Sequence, residues 1–183
     1  DFSGILTKGG TILGSSRCPF KTMRDPDENG LDKVEAMKQN YHKLRLDCLV
    51  ILGGNGTQKT ANLLREEGLN IIHLPKTIDN DLVVTDHTPG YGSAAKYIAT
   101  SLKEVIRDVE STGLTNPTVL LVEIMGRHAG WLTAASVLAS AKGEGPDLIY
   151  LPEVPIDVDD FIETVKKKVK EKAVSFSRSN KRL

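Results

Sequence analysis

Asp79 and Asp81 stand two residues apart in Pro75-Lys76-Thr77-Ile78-Asp79-Asn80-Asp81, directly after the apolar run Ile71-Ile72-His73-Leu74. Two carboxylates this close repel each other, and a bound cation or a shared proton relieves that repulsion. One acid can accept a proton from a hydroxyl while the other holds Mg2+ through water. The same residues also suit an Asx-turn followed by a helix cap, a purely structural use.

A second candidate is Gly53-Gly54-Asn55-Gly56-Thr57, after the apolar run Leu49-Val50-Ile51-Leu52. Glycines let backbone amides approach an oxyanion, and the start of the following helix adds positive potential. Thr57 is expected to cap that helix and to donate to a phosphate. The Gly-Lys-Ser/Thr ending of a P-loop is absent. Taken alone, this segment is equally a tight strand–helix turn.

A third is Met125-Gly126-Arg127-His128-Ala129-Gly130, after Leu120-Leu121-Val122-Glu123-Ile124. Guanidinium suits bidentate phosphate contact, although an arginine in such a turn can equally be solvated. Arg17, after Gly14-Ser15-Ser16, is a further phosphate ligand or a solvated loop charge. Glu153, in Leu151-Pro152-Glu153-Val154-Pro155, is a carboxylate able to accept a sugar hydroxyl, or a simple loop acid.

These residues need a scaffold, and the apolar periodicity supplies one. Apolar spacing predicts helices over residues 29–44, 57–67, 91–110, 130–141 and 158–172, the last capped by Asp157. Gly68 is expected to end the second helix. Short apolar strands are predicted over 47–52, 70–74, 118–124 and 147–151, and residues 17–30 read as an exposed loop. Strands alternating with helices imply an α/β fold, a mostly parallel sheet with helices on both faces. Its carboxyl edge would gather the three chemistry-bearing turns.

Composition narrows the classes. The 183 residues are 39% hydrophobic and 26% charged with a formal net charge of zero. That balance gives no reason to expect nucleic acid or a membrane surface as partner. No apolar run approaches the ~20 residues needed to span a bilayer. Cys18 and Cys48 fit no zinc spacing and read as reduced thiols of a cytoplasmic protein. The Lys166–Lys172 charge run reads as a solvated helix face. The chain opens on Asp1 without an initiator Met and closes on a polar, basic stretch, so it reads as a segment of a longer polypeptide.

Taken in order, the motifs resemble the phosphofructokinase family, enzymes that phosphorylate fructose 6-phosphate at O1. The matching segments run from Gly9-Gly10-Thr11 through Arg17, Gly53 through Thr57, Pro75 through Asp81, Met125 through Gly130, and Pro152-Glu153. The resemblance implies a Rossmann-like three-layer fold, incomplete here because the family's first strand and phosphate loop would precede Asp1. Residues 1–112 would form mainly the phosphoryl-donor part, and 113–183 the beginning of the sugar-phosphate part.

By the same resemblance, Asp79 matches the catalytic base. Asp81, with Asn55, is the expected Mg2+ pair. Thr77 and Arg127 match groups that bind the transferring phosphoryl. Met125, Gly126 and Glu153 match the sugar-phosphate site. Gly54, Gly56, Thr57, Arg17 and Lys76 match the donor side. The implied partners are fructose 6-phosphate and ATP or pyrophosphate, within a dimer or tetramer of identical chains.

The donor is open on these residues. Pyrophosphate-type relatives usually carry an acid at the Gly56 position, where it would crowd and repel a nucleotide's α-phosphate; glycine therefore favours ATP. Lys76 and the His128-Ala129-Gly130-Trp131 run lean toward the lysine-bearing branch that includes many pyrophosphate users. Asn55 departs from the usual aspartate, and Thr118 from an arginine that several relatives extend into a neighbouring subunit. A non-catalytic nucleotide- or sugar-phosphate-binding module is a second reading. A relative of diacylglycerol or NAD kinases ranks below it, because it leaves the Met-Gly-Arg segment unexplained.

Overall fold

The computed structural model describes residues 2–16, 18–112, 118–140 and 145–179. They form two compact units, Asp1–Leu74 and Pro75–Leu183.

In the first unit, helix α1 (Lys33–Lys43) leads to strand β1 (Leu49–Gly53), helix α2 (Asn55–Glu66) and strand β2 (Ile71–Pro75), and the two strands pair in a parallel sheet. A crossover helix between paired parallel strands is the βαβ unit expected from the alternating pattern. Asp32 caps α1 by accepting from the Val34 and Glu35 amides at 2.8 and 3.1 Å. Gly68, at φ +86°, ends α2: its N–H reaches the Arg65 carbonyl and the Leu69 N–H the Leu64 carbonyl.

Alternation along each strand decides which residues are buried. Leu49, Ile51 and Ile71 pack against a core of Met23, Val34, Tyr41, Leu64 and Leu69. Val50, Leu52, Ile72 and Leu74 lie on the opposite face and are exposed. One face of this sheet is therefore covered and the other bare.

Residues 18–30 form a mostly exposed loop, as their composition predicts, but it is pinned to the core at one point. Met23 is only 1% exposed and lies in the core, and its sulfur receives the Thr60 hydroxyl at 3.5 Å. Phe20 lies beneath the Lys59 ammonium, 5.6 Å from its ring centroid. Arg24 from this segment and Lys38 from α1 both pair with Glu67 at the end of α2.

In the second unit, helix α3 (Tyr91–Thr112) packs on helix α4 (Trp131–Ala135) and on the 3-10 turn Ser136–Ser140 that continues it. Apolar spacing puts Tyr91, Ala94, Ala95, Ile98, Leu102, Val105, Ile106 and Val109 on one face of α3; Ala95 and Leu102 of it are buried, while Val105 faces out. Helix α5 (Val158–Ser179) begins at Asp157, whose Oδ1 accepts from the Asp159 and Asp160 amides at 2.9 and 3.0 Å. Lys166, Lys167 and Lys170 on it are exposed. No helix among the described residues is long and apolar enough to cross a membrane.

Two strand expectations fail. Residues 118–124 and 147–151 join no ladder among the described residues. Val119, Leu120, Leu121 and Val122 are exposed, with no strand beside them. An apolar run supplies strand propensity, but pairing needs a neighbour with free backbone groups.

The Glu67 carboxyl is held below the usual carboxylate range, chiefly by its hydrogen bond from Arg24 and next by that from Lys38. A depressed folded value means the stabilisation is present above the unfolded value and lost as pH falls through the folded one. The urea midpoint is therefore expected to fall as pH drops below about 4.3, and Glu67→Gln to flatten part of that fall. An identical acid profile in the variant would contradict this assignment.

Candidate active site

Beyond β2, the chain makes one parallel bridge, Thr77 to Gly90, and the Thr77 N–H donates to the Pro89 carbonyl at 3.2 Å. Between these points the loop is closed by a side-chain latch. Asn80 takes the left-handed conformation, φ +52°, which asparagine tolerates better than most residues. Its Oδ1 accepts from the Thr88 N–H at 2.9 Å and lies 3.2 Å from the Thr88 hydroxyl. Its Nδ2 donates to the Asp86 carbonyl at 3.2 Å. The Thr88 hydroxyl also reaches the Thr77 carbonyl at 2.8 Å. Asn80 and Thr88 are 7% and 3% exposed, so these bonds are made away from water.

The two acids flank this latch. Oδ1 of Asp79 and Oδ1 of Asp81 are buried, and neither has a hydrogen-bond partner among the described residues. Withdrawing such an acceptor from water without a partner costs about 1–3 kcal/mol, more if it is charged. A partner from outside the chain would relieve that cost. Thr77 Oγ1 accepts from the Asp79 N–H at 3.2 Å, which leaves the hydroxyl proton available to donate elsewhere. Lys76 is exposed.

The Met-Gly-Arg turn belongs to the same unit. Gly126 has φ +137°, and a Cβ there would lie 2.4 Å from the Ala129 carbonyl oxygen, so only glycine fits. Met125 and Arg127 are exposed. The Gly130 N–H, at the entrance to α4, donates to Glu153 Oε1 at 2.6 Å. A Cβ at Gly130 would meet Glu153 Oε2 at 2.6 Å and Pro152 Cδ at 2.9 Å. The structure thus joins two segments that the sequence offered separately, 125–130 and 152–153. The acid loop is tied to them through Tyr91: its N–H reaches the Thr88 carbonyl at 3.0 Å, and its hydroxyl the Trp131 carbonyl at 3.4 Å.

The glycine-rich turn lies in the first unit. Thr57 is not the cap of α2. The helix starts two residues earlier, Gly54 is the N-cap in an extended conformation without a side-chain bond, and Thr57 is third in the helix. The reason is steric: the Thr57 side chain packs on Gly53, where a Cβ would lie 2.4 Å from Thr57 Oγ1. Gln58 is the first to donate back, to the Gly54 carbonyl at 2.9 Å. The amides before it belong to the first turn, which has no intrahelical partners. A Cβ at Gly56 would have no atom within 4 Å. Asn55 is exposed, and Arg17 lies outside the described residues.

No trio of His, Cys, Asp or Glu able to hold a metal ion by itself occurs among the described residues. A single unpartnered carboxylate oxygen, as at Asp81, suits a cation completed by phosphate oxygens and water, which is how Mg2+ is usually bound.

Residues 1–179 match the family model described as Phosphofructokinase. The chain belongs to the phosphofructokinase family. It is 52% identical over 167 residues to an ATP-dependent 6-phosphofructokinase of Spirochaeta thermophila, covering 88% of this chain and 43% of that protein. It is 38% identical to a pyrophosphate–fructose 6-phosphate 1-phosphotransferase of Amycolatopsis methanolica, covering 92% and 45%. The crystal structure of a pyrophosphate-dependent phosphofructokinase from Marinobacter aquaeolei superposes with a TM-score of 0.67 at 35% identity, covering 88% of this chain and 40% of that one. The chain therefore spans less than half the length of these relatives, and the α/β class expected from sequence is the family's.

Sequence reasoning passed over Asn80, Thr88 and Tyr91. The available signal was an asparagine between two acids, a residue type suited to a left-handed turn, followed by the turn-forming Thr88-Pro89-Gly90.

Thr88→Val keeps the shape of Thr88 but removes its hydroxyl from the Thr77 carbonyl and Asn80. Urea denaturation is expected to show a loss of about 1–3 kcal/mol. An unchanged midpoint would mean that the latch does not hold the loop.

Proposed function

We propose that the protein carrying this chain transfers the γ-phosphoryl of ATP to O1 of fructose 6-phosphate, giving fructose 1,6-bisphosphate, a step of glycolysis. The observation that carries this reading is the pair of buried, unpartnered carboxylate oxygens of Asp79 and Asp81 on either side of Asn80. Structural acids are normally bonded to the protein around them; these two are held ready for groups the protein does not itself supply.

Asp79 takes the proton of the sugar 1-hydroxyl as O1 bonds to the γ-phosphorus. The bond from that phosphorus to its bridging oxygen breaks, and ADP leaves with the electron pair. Thr77, with a hydroxyl proton to spare, and Arg127 neutralise the transferring phosphoryl. Positioning and charge neutralisation of this kind are most of what a protein contributes to phosphoryl transfer.

Gly54, Gly56 and Thr57 present first-turn amides to the donor phosphates, with Lys76 and Arg17 adding positive charge. Met125 and Gly126 line the sugar-phosphate site. Glu153 holds the Gly130 amide with one oxygen and accepts a sugar hydroxyl. Asp81, with Asn55, would hold Mg2+. When bound, that ion neutralises charge on the donor phosphates. Residues 1–112 serve mainly the donor and 113–183 the sugar phosphate, in a cytoplasmic enzyme assembled from identical subunits.

Two observations support ATP as the donor. The space around Gly56 is open, leaving room for a nucleotide's α-phosphate, and the 52% identical relative bears the name of an ATP-dependent enzyme. Pyrophosphate is the second reading, favoured by Lys76 and by the names of the Amycolatopsis and Marinobacter relatives.

A coupled assay of the full-length polypeptide with fructose 6-phosphate, offering each donor separately, is expected to show turnover with ATP; turnover with pyrophosphate alone would reverse the assignment. Because a Cβ at residue 56 would meet no neighbouring atom within 4 Å, Gly56→Asp should fold normally. It is expected to depress ATP use at least about tenfold more than pyrophosphate use, from charge repulsion at close range. Equal loss with both donors would remove the steric account.

A further inference from the structure

His73 is a polar residue within an otherwise apolar face. On β1 the packed positions are Leu49, Ile51 and Gly53, and on β2 they are Ile71, His73 and Pro75. Leu49, Ile51 and Ile71 contribute to the core. One step further toward the carboxyl edge, where an aliphatic side chain would continue the pattern, the imidazole lies with Nε2 3.0 Å from the Gly53 carbonyl oxygen. A carbonyl oxygen only accepts, so Nε2 carries the proton and donates.

That carbonyl has a specific consequence for the turn. Gly53 C=O and Gly54 N–H belong to one planar trans peptide and point in opposite directions. Fixing the carbonyl therefore fixes where the Gly54 N–H points. The other side of Gly53 is fixed as well, because Thr57 packs against its Cα so closely that a Cβ would lie 2.4 Å from Thr57 Oγ1. Gly54 has no side chain of its own to settle its orientation, and no side chain caps the helix it starts. The peptide at the entrance to α2 is thus clamped by two residues from outside it, one from β2 and one from within the helix.

We propose that His73 is a positioning residue for the glycine-rich turn: its Nε2–H bond to the Gly53 carbonyl, with Thr57 packed on the Gly53 Cα, sets the direction in which the Gly54 amide is offered to a donor phosphate. The assignment of the phosphate rests on the function proposed above; the clamp itself does not. Amides that must meet a phosphate gain from being held in place before it arrives, because less ordering is left for the binding step. His73 touches no reacting atom and acts only through this peptide.

Three variants of the full-length polypeptide test this. His73→Leu has no donor, His73→Asn is polar but too short to reach, and His73→Gln carries an amide N–H at about the reach of Nε2. From the loss of one hydrogen bond, the KM for the phosphoryl donor is expected to rise about fivefold to tenfold in the Leu and Asn variants. The Gln variant should return to within about threefold of the parent, and the KM for fructose 6-phosphate should stay within about twofold throughout.

Amide exchange at Gln58, whose N–H bonds to the Gly54 carbonyl at 2.9 Å, read by mass spectrometry without substrate, should quicken in the Leu and Asn variants and return toward the parent rate in Gln. That arm decides the clamp even if the parent shows no phosphoryl transfer, in which case the function proposed above fails separately. An unchanged donor KM in the Leu variant of an active enzyme, an equal rise in both KM values, a Gln variant as impaired as Leu, or exchange at Gln58 unaltered in all three would overturn the proposal.

Discussion

The hydrogen bonds between Asn80 and Thr88 hold the acid loop in its shape, and the site depends on that shape. Asn80 turns the chain through a left-handed conformation while its amide fills the inside of the loop, bonded to the Thr88 backbone and the Asp86 carbonyl. The residues on either side, Asp79 and Asp81, each keep a buried carboxylate oxygen without a partner among the described residues. A loop built for stability alone would pair those oxygens or expose them. Here the latch and the Thr77–Gly90 bridge hold the backbone, and the buried carboxylate oxygens of the two acids make no bond among the described residues.

The glycines divide in an informative way. At Gly53, Gly126 and Gly130 the space a Cβ would need is already taken by Thr57, by the Ala129 carbonyl and by Glu153 with Pro152. Those glycines let parts of the protein approach one another. Gly56 lies in open space, where no neighbouring atom requires the absence of a side chain. Backbone strain does not require it either, since Gly56 is an interior residue of α2's first turn without a positive φ. A glycine that neither packing nor conformation explains is the more telling one for ligand binding, and the proposed choice of ATP over pyrophosphate rests on it.

Much of the framework was legible because it depends on local pattern. The inward face of α3, the Asp157 cap of α5 and the Gly68 stop after α2 each follow from residues within a turn or two of one another. What failed depended on partners distant in sequence. The apolar runs 118–124 and 147–151 carry strand propensity, yet no strand pairs with them among the described residues. Thr57 has the residue type of a cap, but its packing on Gly53 places it inside the helix. Residues 18–30 are mostly exposed as composition suggests, but composition does not show that Met23 and Arg24 are bound to side chains more than thirty residues onward. Candidate residues could be named from type and spacing. Their support could not: the Asn80–Thr88 latch, the Gly130–Glu153 bond and the Tyr91 tie come from tertiary contact.

The central claim is that Asp79 is kept unpartnered for chemistry and gives nothing to the fold. Asp79→Asn in the full-length polypeptide tests it most directly, by turnover with fructose 6-phosphate alongside thermal unfolding. Replacing a carboxylate that has one buried, unpartnered oxygen by a neutral amide of the same shape should leave the melting temperature unchanged or raise it. Removing the proton acceptor should lower turnover about 10²- to 10⁴-fold. Turnover within a few-fold of the parent, or a variant that melts well below it, would show that Asp79 is a structural acid and contradict the account.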